Sequence, residues 1–154
     1  MWDDLDHFKL PDPKMLQDEA IGTSILASTL INITNHYLDW AQHEPGAKNE
    51  INKIKADIAE TESWYSNDLQ QTLAVNFDKI PLNRQKNRDL QIGWVLSEFP
   101  SFGERNKELK EKRTLLVEKQ HKLDKIQSRM SAAKHVLDIG RSILSAMKEE
   151  LRNL

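Results

Sequence analysis

The sequence predicts an all-helical protein in which an N-terminal antiparallel helical hairpin precedes a long C-terminal helix with a heptad pattern. Apolar residues recur at helical spacing, while the five prolines and five glycines fall mostly between the patterned stretches. Charged residues make up 30% of the 154 positions, which leaves little apolar material for an independent core. We therefore expect copies of the chain to share burial.

Residues 1–11 are predicted to form an arm that ends at Pro11. Its apolar side chains, which could dock on another copy or on a partner protein, are separated by acids: Trp2, Leu5, Phe8 and Leu10. The acidic start lacks the basic and apolar stretches of a signal peptide, and no apolar run is long enough for a membrane span. We expect a soluble, intracellular protein that does not contact a membrane. The absence of cysteine excludes disulfides and thiolate metal sites.

Residues 12–75 are predicted to form the hairpin. Asp12-Pro13 is typical of a helix N-cap followed by proline at the first helical position. The first helix is expected to end at Glu44-Pro45-Gly46, and a second to begin near Ala47. The predicted apolar face of the first helix is Leu16, Ala20, Thr23, Ala27, Leu30, Thr34, Leu38 and Ala41, with Ile21, Ile25 and Ile33 beside it. That of the second is Ile51, Ile54, Ile58, Tyr65 and Leu69.

Residues 76–88 show no helical period, contain a proline and three asparagines, and are predicted to be an extended, mobile basic linker. Residues 89–154 are expected to complete a single domain, beginning with a short helix to Phe99. Ser101 and Glu104 have capping-box spacing, which predicts a final helix from about Phe102 to Arg152.

A heptad seam on the final helix is the clearest pattern in the sequence. Leucine or methionine occupies every seventh position from Leu109 to Leu151, and the companion positions are apolar after Lys112 and Lys119. Two short helices cannot cover so long a seam, so we expect self-association from Leu123 onward. The predicted oligomerisation residues are Leu123, Ile126, Met130, Ala133, Leu137, Gly140, Leu144, Met147 and Leu151. The alternative is an intramolecular bundle in which the long helix packs only on the hairpin.

Charge is segregated along the chain. Residues 1–78 hold 5 Lys or Arg and 14 Asp or Glu, whereas residues 79–141 hold 15 and 8. Concentrated cations predict a surface for a polyanion, and Trp94, Phe99 and Phe102 nearby are suited to stacking on bases. The predicted DNA-binding residues are Arg84, Lys86, Arg88, Arg105, Lys107, Lys110, Lys112, Arg113, Lys119, Lys122, Lys125, Arg129 and Lys134. The alternative is that interleaved lysine and glutamate form only the solvated surface of a coiled coil.

No catalytic constellation is recognisable in the sequence. The five histidines lack metal-ligand spacing, and the glycines lie too far apart for a phosphate-binding loop. We expect no enzymatic activity, no cofactor and no metal.

Several short motifs resemble, in order and spacing, the UvsY family of recombination mediators of T-even-type phages. In the C-terminal half they are Trp94-Val95-Leu96-Ser97, Leu115-Leu116, Leu123 to Arg129 and Ala132 to Asp138. In the N-terminal half they are Leu16-Gln17-x-Glu19-Ala20, Lys48-x-Glu50, Ile54 and Trp64-Tyr65. The resemblance covers most of the chain outside the arm and the linker.

The resemblance implies a ring-like homo-oligomer of about six to eight copies that binds single-stranded DNA. It also implies a phage-encoded protein of the host cell cytoplasm that loads a RecA-like recombinase onto DNA coated by single-strand-binding protein. The family's basic cluster near the end of the second helix has no counterpart here, because Ala59-Glu60-Thr61-Glu62-Ser63 stands in its place. DNA contact would then fall to the cations named above, and the acidic half would face proteins. The alternatives are a scaffolding coiled-coil phage protein without DNA binding, and a module that binds a host protein through Trp2 to Leu10.

Overall fold

The computed structural model describes residues 9–11 and 19–153, with side chains described from residue 22 within the first helix. The elements are α1 (Glu19–Asn76), α2 (Arg88–Glu98) and α3 (Pro100–Asn153), with two 3-10 turns at Phe77–Lys79 and Leu82–Arg84. The all-helical prediction is confirmed for these residues, as is a long C-terminal helix. Most of the predicted arm and the predicted helix start at Asp12-Pro13 lie outside the described residues. Within the described residues, no helix has the length and apolarity to cross a membrane.

Helix α1 is continuous through Pro45, so the predicted hairpin break at Glu44-Pro45-Gly46 is wrong. A proline inside a helix costs about 3 kcal/mol, since it removes a backbone hydrogen bond and crowds the preceding turn. Burial on either side offsets this cost: Trp40 is 4% exposed and Ile51 3% exposed. On both sides of the proline, the buried and half-buried positions of this face are three or four residues apart: Tyr37, Trp40, Glu44, Ala47 and Ile51.

The buried face of α1 differs from the predicted one. Leu30 and, beside the predicted face, Ile33 are buried, but Leu38 is 51% exposed, and Leu26, which the prediction left out, is fully buried. The predicted residues have helical spacing, but they lie along a line to one side of the face that packs.

An ion pair spans the proline. The Lys48 ammonium donates a hydrogen bond to the Glu44 carboxylate, one turn earlier in α1. This hydrogen bond, with the charge of Lys48 and a hydrogen bond from Gln127, holds the pKa of Glu44 below 4.5, against the opposing effect of desolvation. Because the folded-state pKa is lowered, the stabilisation is present at neutral pH and is lost as the pH falls through the carboxylate range.

The chain divides into two compact units, where the sequence predicts one domain. The first unit comprises residues 1–48 and 122–154, and the second comprises residues 49–121. The core of the first unit joins buried side chains of α1 and α3: Leu26, Leu30, Ile33, Trp40, Ala133, Leu137 and Met147. Ile126, Met130 and Leu144 of the seam are partly buried against it.

The seam of α3 therefore has its partner inside the same chain. The reasoning that a second copy must cover it is wrong, because α1 is one helix of 58 residues and packs against α3 in the core of the first unit. Leu123 is buried and Gly140 closely packed, whereas Leu151, the last described seam position, is 38% exposed. The packing favours the intramolecular alternative for all the seam residues up to Met147.

Gly140 of α3 is closely packed against the Leu30 side chain of α1 in the first unit. A Cβ atom at this position would lie 2.4 Å from Leu30 Cδ2 and 3.2 Å from Leu10 Cδ2. Since Leu30 is only 7% exposed, its methyl group has little room to move.

We expect Gly140→Ala to lower the free energy of unfolding by roughly 1 kcal/mol, because overpacking outweighs the gain in helix propensity. Urea unfolding followed by circular dichroism measures the change. Gly93→Ala is the control: nothing lies within 4 Å of its added methyl, so it should stabilise the protein by about 0.5–1 kcal/mol. Stabilisation by both substitutions would contradict the close approach.

The core of the second unit is built where α1 ends, α2 lies and α3 begins. Its buried residues are Leu69, Leu73, Ile80, Trp94, Val95 and Phe102. Tyr65 packs edge-on against Phe102, and Trp94 packs edge-on against Phe99. Helix α3 begins at Pro100, so Ser101 lies inside the helix and the predicted capping box is wrong. Proline at the first helical position needs no hydrogen-bond donor there.

Candidate nucleic-acid interface

The segment between α1 and α2 together with the first residue of α2, residues 77–88, is called the basic connection below. The prediction of an extended linker is wrong, because the segment folds into two 3-10 turns. The Gln85 side chain donates hydrogen bonds to the carbonyl oxygens of Phe77 (3.4 Å) and Ile80 (2.8 Å). Gln91 Nε2 in turn donates to the Gln85 carbonyl at 3.0 Å. Ile80 is 2% exposed and anchors the segment in the core of the second unit.

Helix α2 begins at Arg88, the last residue of the basic connection. The Asn87 side-chain oxygen accepts a hydrogen bond from the Leu90 amide at 2.9 Å, which caps the helix. The cap fixes the backbone on which Lys86 and Arg88 stand. The connection thus presents its cations from an ordered scaffold, which lowers the entropy lost when a ligand binds.

Four exposed cations stand on the basic connection: Lys79, Arg84, Lys86 and Arg88. Asp78 and Asp89 are the carboxylates at its two ends. Within the described part of the chain, no ion pair is recorded for any of the four cations. Three of them were predicted from the sequence, and Lys79, which lies in the same cation-rich segment, was not.

The aromatic residues predicted to stack on bases are in the core instead. Trp94 is 8% exposed and Phe102 5% exposed, and Phe99 packs on the same cluster. The prediction that they stack on bases is wrong, because these side chains belong to the core of the second unit, where α1, α2 and α3 meet. The exposed aromatic side chains of this unit include Phe77, 47% exposed, and Trp64, 66% exposed. Phe77 lies within the basic connection.

Four of the predicted DNA-binding cations on α3 form ion pairs with α1 in the second unit. Lys112 Nζ lies 3.1 Å from Asp57 Oδ2, and Lys119 Nζ lies 3.0 Å from Glu50 Oε2. Arg105 pairs with Asp68 and Arg113 with Glu62. Lys112 and Lys119 are seven residues apart, and so are their partners Asp57 and Glu50. This spacing is expected for antiparallel helices in heptad register.

Lys112 is the most enclosed of these four cations. Its ammonium also contacts Glu108 at 3.0 Å and the Thr61 hydroxyl at 3.1 Å. Hydrogen bonds to Glu108 and Asp57 raise the pKa of Lys112 above 10.5, so it stays charged. Lysine at this seam position is therefore matched by Asp57 of α1 and Glu108 of α3.

The charge segregation of the sequence thus has an intramolecular use. Residues 49–121 contain 12 Lys or Arg and 12 Asp or Glu. Four acids of the acidic half, Glu50, Asp57, Glu62 and Asp68, pair with cations of α3. Such surface pairs contribute little to stability individually, but they favour one register of the two helices.

We expect Lys112→Leu to raise the melting temperature by a few degrees. The leucine would continue the apolar seam, while Asp57 and Glu108, with side chains 55% and 56% exposed, could be solvated by water. Thermal unfolding followed by circular dichroism measures the change, with Lys110→Leu at an exposed position as the control. A lower melting temperature for Lys112→Leu would show that the ion pairs outweigh apolar burial here.

The remaining predicted cations of α3 are divided between the two units. In the second unit, Lys107 and Lys110 line a shallow depression of about 360 Å³ that also contains Glu111 and Glu118. In the first unit, Lys122, Lys125 and Lys134 are exposed, and Arg129 is half-buried and has an interaction partner. Acids interrupt each of these groups, so the basic connection is the best candidate for contact with nucleic acid.

No family model, curated protein or solved structure matches the chain. The motifs that resemble the UvsY family include residues of both cores, among them Trp94, Val95, Ala133 and Leu137. Among the described residues, no group of histidines and carboxylates is arranged to hold a metal ion.

Proposed function

We propose that the protein is a phage-encoded recombination mediator without catalytic activity. It binds single-stranded DNA as a ring-like homo-oligomer in the host cell cytoplasm and helps a RecA-like recombinase load onto DNA coated by single-strand-binding protein. The observation that carries the DNA-binding part is the basic connection, where four exposed cations stand on an ordered turn beside exposed Phe77. The motifs shared with the UvsY family support the mediator role.

The basic connection has the chemistry that a single strand requires. Cations neutralise backbone phosphates without regard to sequence, and an exposed aromatic ring offers a surface for one base. Wrapping a strand on several copies would weaken the hold of the coating protein and present DNA to the recombinase. No bond is made or broken in this process, so no catalytic group is needed.

The second candidate is a scaffolding coiled-coil protein without DNA binding. It is favoured by the four ion pairs between α1 and α3, which use cations that the sequence assigned to DNA. In this function the lysines and glutamates set helix register, and the basic connection is only a solvated turn.

Titration of a fluorescent oligo-dT at several salt concentrations separates the two functions. A single strand gives a slope of about -0.7 in log affinity against log salt for each phosphate neutralised. Contact through three or four cations should therefore give a slope of about -2 to -3. No binding at low salt would exclude the mediator and leave the scaffold.

A further inference from the structure

An uncharged stretch of α1 includes both the buried and the exposed side of the helix in the first unit. Residues 20–38 contain no Lys, Arg, Asp or Glu, in a chain of which 30% is charged. Burial accounts for one side of this stretch, because Leu26, Leu30 and Ile33 lie in the core of the first unit. The other side of a surface helix usually carries charged and polar residues that face water. The absence of charges from that side needs another explanation.

The exposed side of this stretch carries large apolar residues at heptad spacing. Ile31 is 62% exposed, and Leu38, seven residues later, is 51% exposed. Two such side chains on one uncharged helix face indicate a contact with another helix. This surface is called the outer face, and its residues are Ala27, Ile31, Thr34, Asn35, Leu38 and Gln42.

The polar side chains of the outer face can be covered without leaving a charge unpaired. Thr34 Oγ1 donates a hydrogen bond to the Leu30 carbonyl at 2.7 Å, so its proton is already used within α1. Asn35 and Gln42 carry amide groups, which both donate and accept hydrogen bonds across a contact. A charged partner would lose its water at this face and gain no opposite charge, so the outer face selects an uncharged partner.

The outer face is complementary to itself about a twofold axis. When two copies of α1 pack antiparallel about the midpoint between Thr34 and Asn35, Ile31 of each copy lies opposite Leu38 of the other. The Asn35 amide of each copy then lies opposite the Thr34 hydroxyl of the other, whose oxygen accepts a hydrogen bond. The helix dipoles also favour this antiparallel orientation. A second copy therefore supplies an uncharged surface with matching apolar and polar positions.

Several other exposed apolar residues in the described part of the chain stand among charges. Trp64 lines a depression together with Glu60 and Glu108. Val117 is followed directly by Glu118. The apolar residues of the basic connection stand beside its four cations. Such charged surfaces match the outer face less well than a second outer face does.

We propose that the outer face of one copy packs antiparallel on the outer face of a second copy. This inference rests on the self-association in the proposed function and names the surface that carries it, in place of the seam that α1 covers. The contact uses no residue of the basic connection, which is left for DNA. Because the same surface is used on both sides, the contact joins copies in pairs, and a ring of pairs needs a further surface.

Two complementary substitutions test this contact on the full chain in the absence of DNA. One variant carries Ile31→Glu and the other carries Leu38→Lys. In a pair of identical variants, each introduced charge lies opposite an apolar residue. In a mixed pair, the introduced carboxylate lies opposite the introduced ammonium, and the remaining leucine and isoleucine lie opposite each other.

Light scattering should give the wild type a mass of at least two 17.9 kDa chains. Each variant alone should have no more than half the wild-type mass, and an equimolar mixture should regain the wild-type mass. Circular dichroism should show an unchanged helical content, because both substituted side chains are exposed. Val117→Glu is the control: it places a charge at a 67% exposed position outside the outer face and should keep the wild-type mass.

Three results would overturn the contact: a wild type of one-chain mass, variants that keep the wild-type mass, or a mixture that does not recover. The first result would also remove self-association from the proposed function. The second would leave self-association in place through another surface, and the third would exclude the antiparallel pairing. The oligo-dT titration decides DNA binding separately, because both variants keep every residue of the basic connection. Failure of the contact and failure of DNA binding are therefore distinguishable.

Discussion

Leu137→Asp is expected to unfold the first unit. Leu137 is 5% exposed and packs with Ala133 of α3 and with residues of α1 in the core of that unit. The substitution removes a buried leucine, which costs about 2–5 kcal/mol, and places a carboxylate where water is excluded. We expect a loss of at least about 4 kcal/mol, which is enough to unfold many proteins.

Leu151→Asp is the matched control for this substitution. Leu151 occupies the same heptad position two heptads later, but it is 38% exposed and lies outside the core cluster. Its replacement should change the free energy of unfolding by no more than about 0.5 kcal/mol. Urea unfolding followed by circular dichroism gives both values, and light scattering gives the mass of each variant.

The pair of variants also distinguishes the two uses of the seam. If the seam joins copies, Leu137→Asp should leave a helical protein of smaller mass. If α1 covers the seam, Leu137→Asp should lose helix content, because the first unit unfolds. A folded Leu137→Asp protein of one-chain mass would therefore contradict the intramolecular packing.

The long helix was predictable because its heptads are uninterrupted, whereas α1 was misjudged at Pro45. A proline followed by glycine usually ends a helix, and that local rule outweighed the pattern around it. The covered positions on the two sides of Pro45 nevertheless keep one phase, from Trp40 through Ala47 to Ile51. A true break would leave the two phases unrelated, so the continuous register was the available signal for a single helix.

The prediction that the seam joins copies of the chain followed from the predicted helix end at Pro45. With α1 divided, the seam lacked a partner of its own length and a second copy became necessary. The acids at Glu50 and Asp57 have the same seven-residue spacing as Lys119 and Lys112, with which they pair. That match was visible in the sequence, but it has meaning only when the two helices are already known to lie side by side.

The candidate interface was predictable in composition and unpredictable in form. The cations of residues 84–88 could be read directly from the sequence. The turns that present them depend on the Gln85 side chain, which reaches two carbonyl groups of the preceding turn, and on burial of Ile80. Neither contact has a periodic pattern, so local sequence favoured an extended linker.

The variant Arg84→Glu, Lys86→Glu and Arg88→Glu should lose affinity for oligo-dT by about a hundredfold or more at low salt, because three phosphate contacts become repulsions. The dependence on salt should weaken by about 2 in the log-log slope, which is about 0.7 for each lost contact. Fluorescence anisotropy at several salt concentrations measures both quantities. These side chains are exposed, so the helical content should stay unchanged.

The control variant carries Lys122→Glu, Lys125→Glu and Lys134→Glu, which makes the same change in net charge on exposed positions of the first unit. Long-range repulsion acts in both variants, but only the first removes cations from the ordered turn beside Phe77. A small loss of affinity with an unchanged salt slope is therefore expected for the control. Equal losses in the two variants would mean that net charge governs binding and that the basic connection is not the site. A larger loss in the control would move the site to the lysines of α3, where the sequence alone had placed most of it.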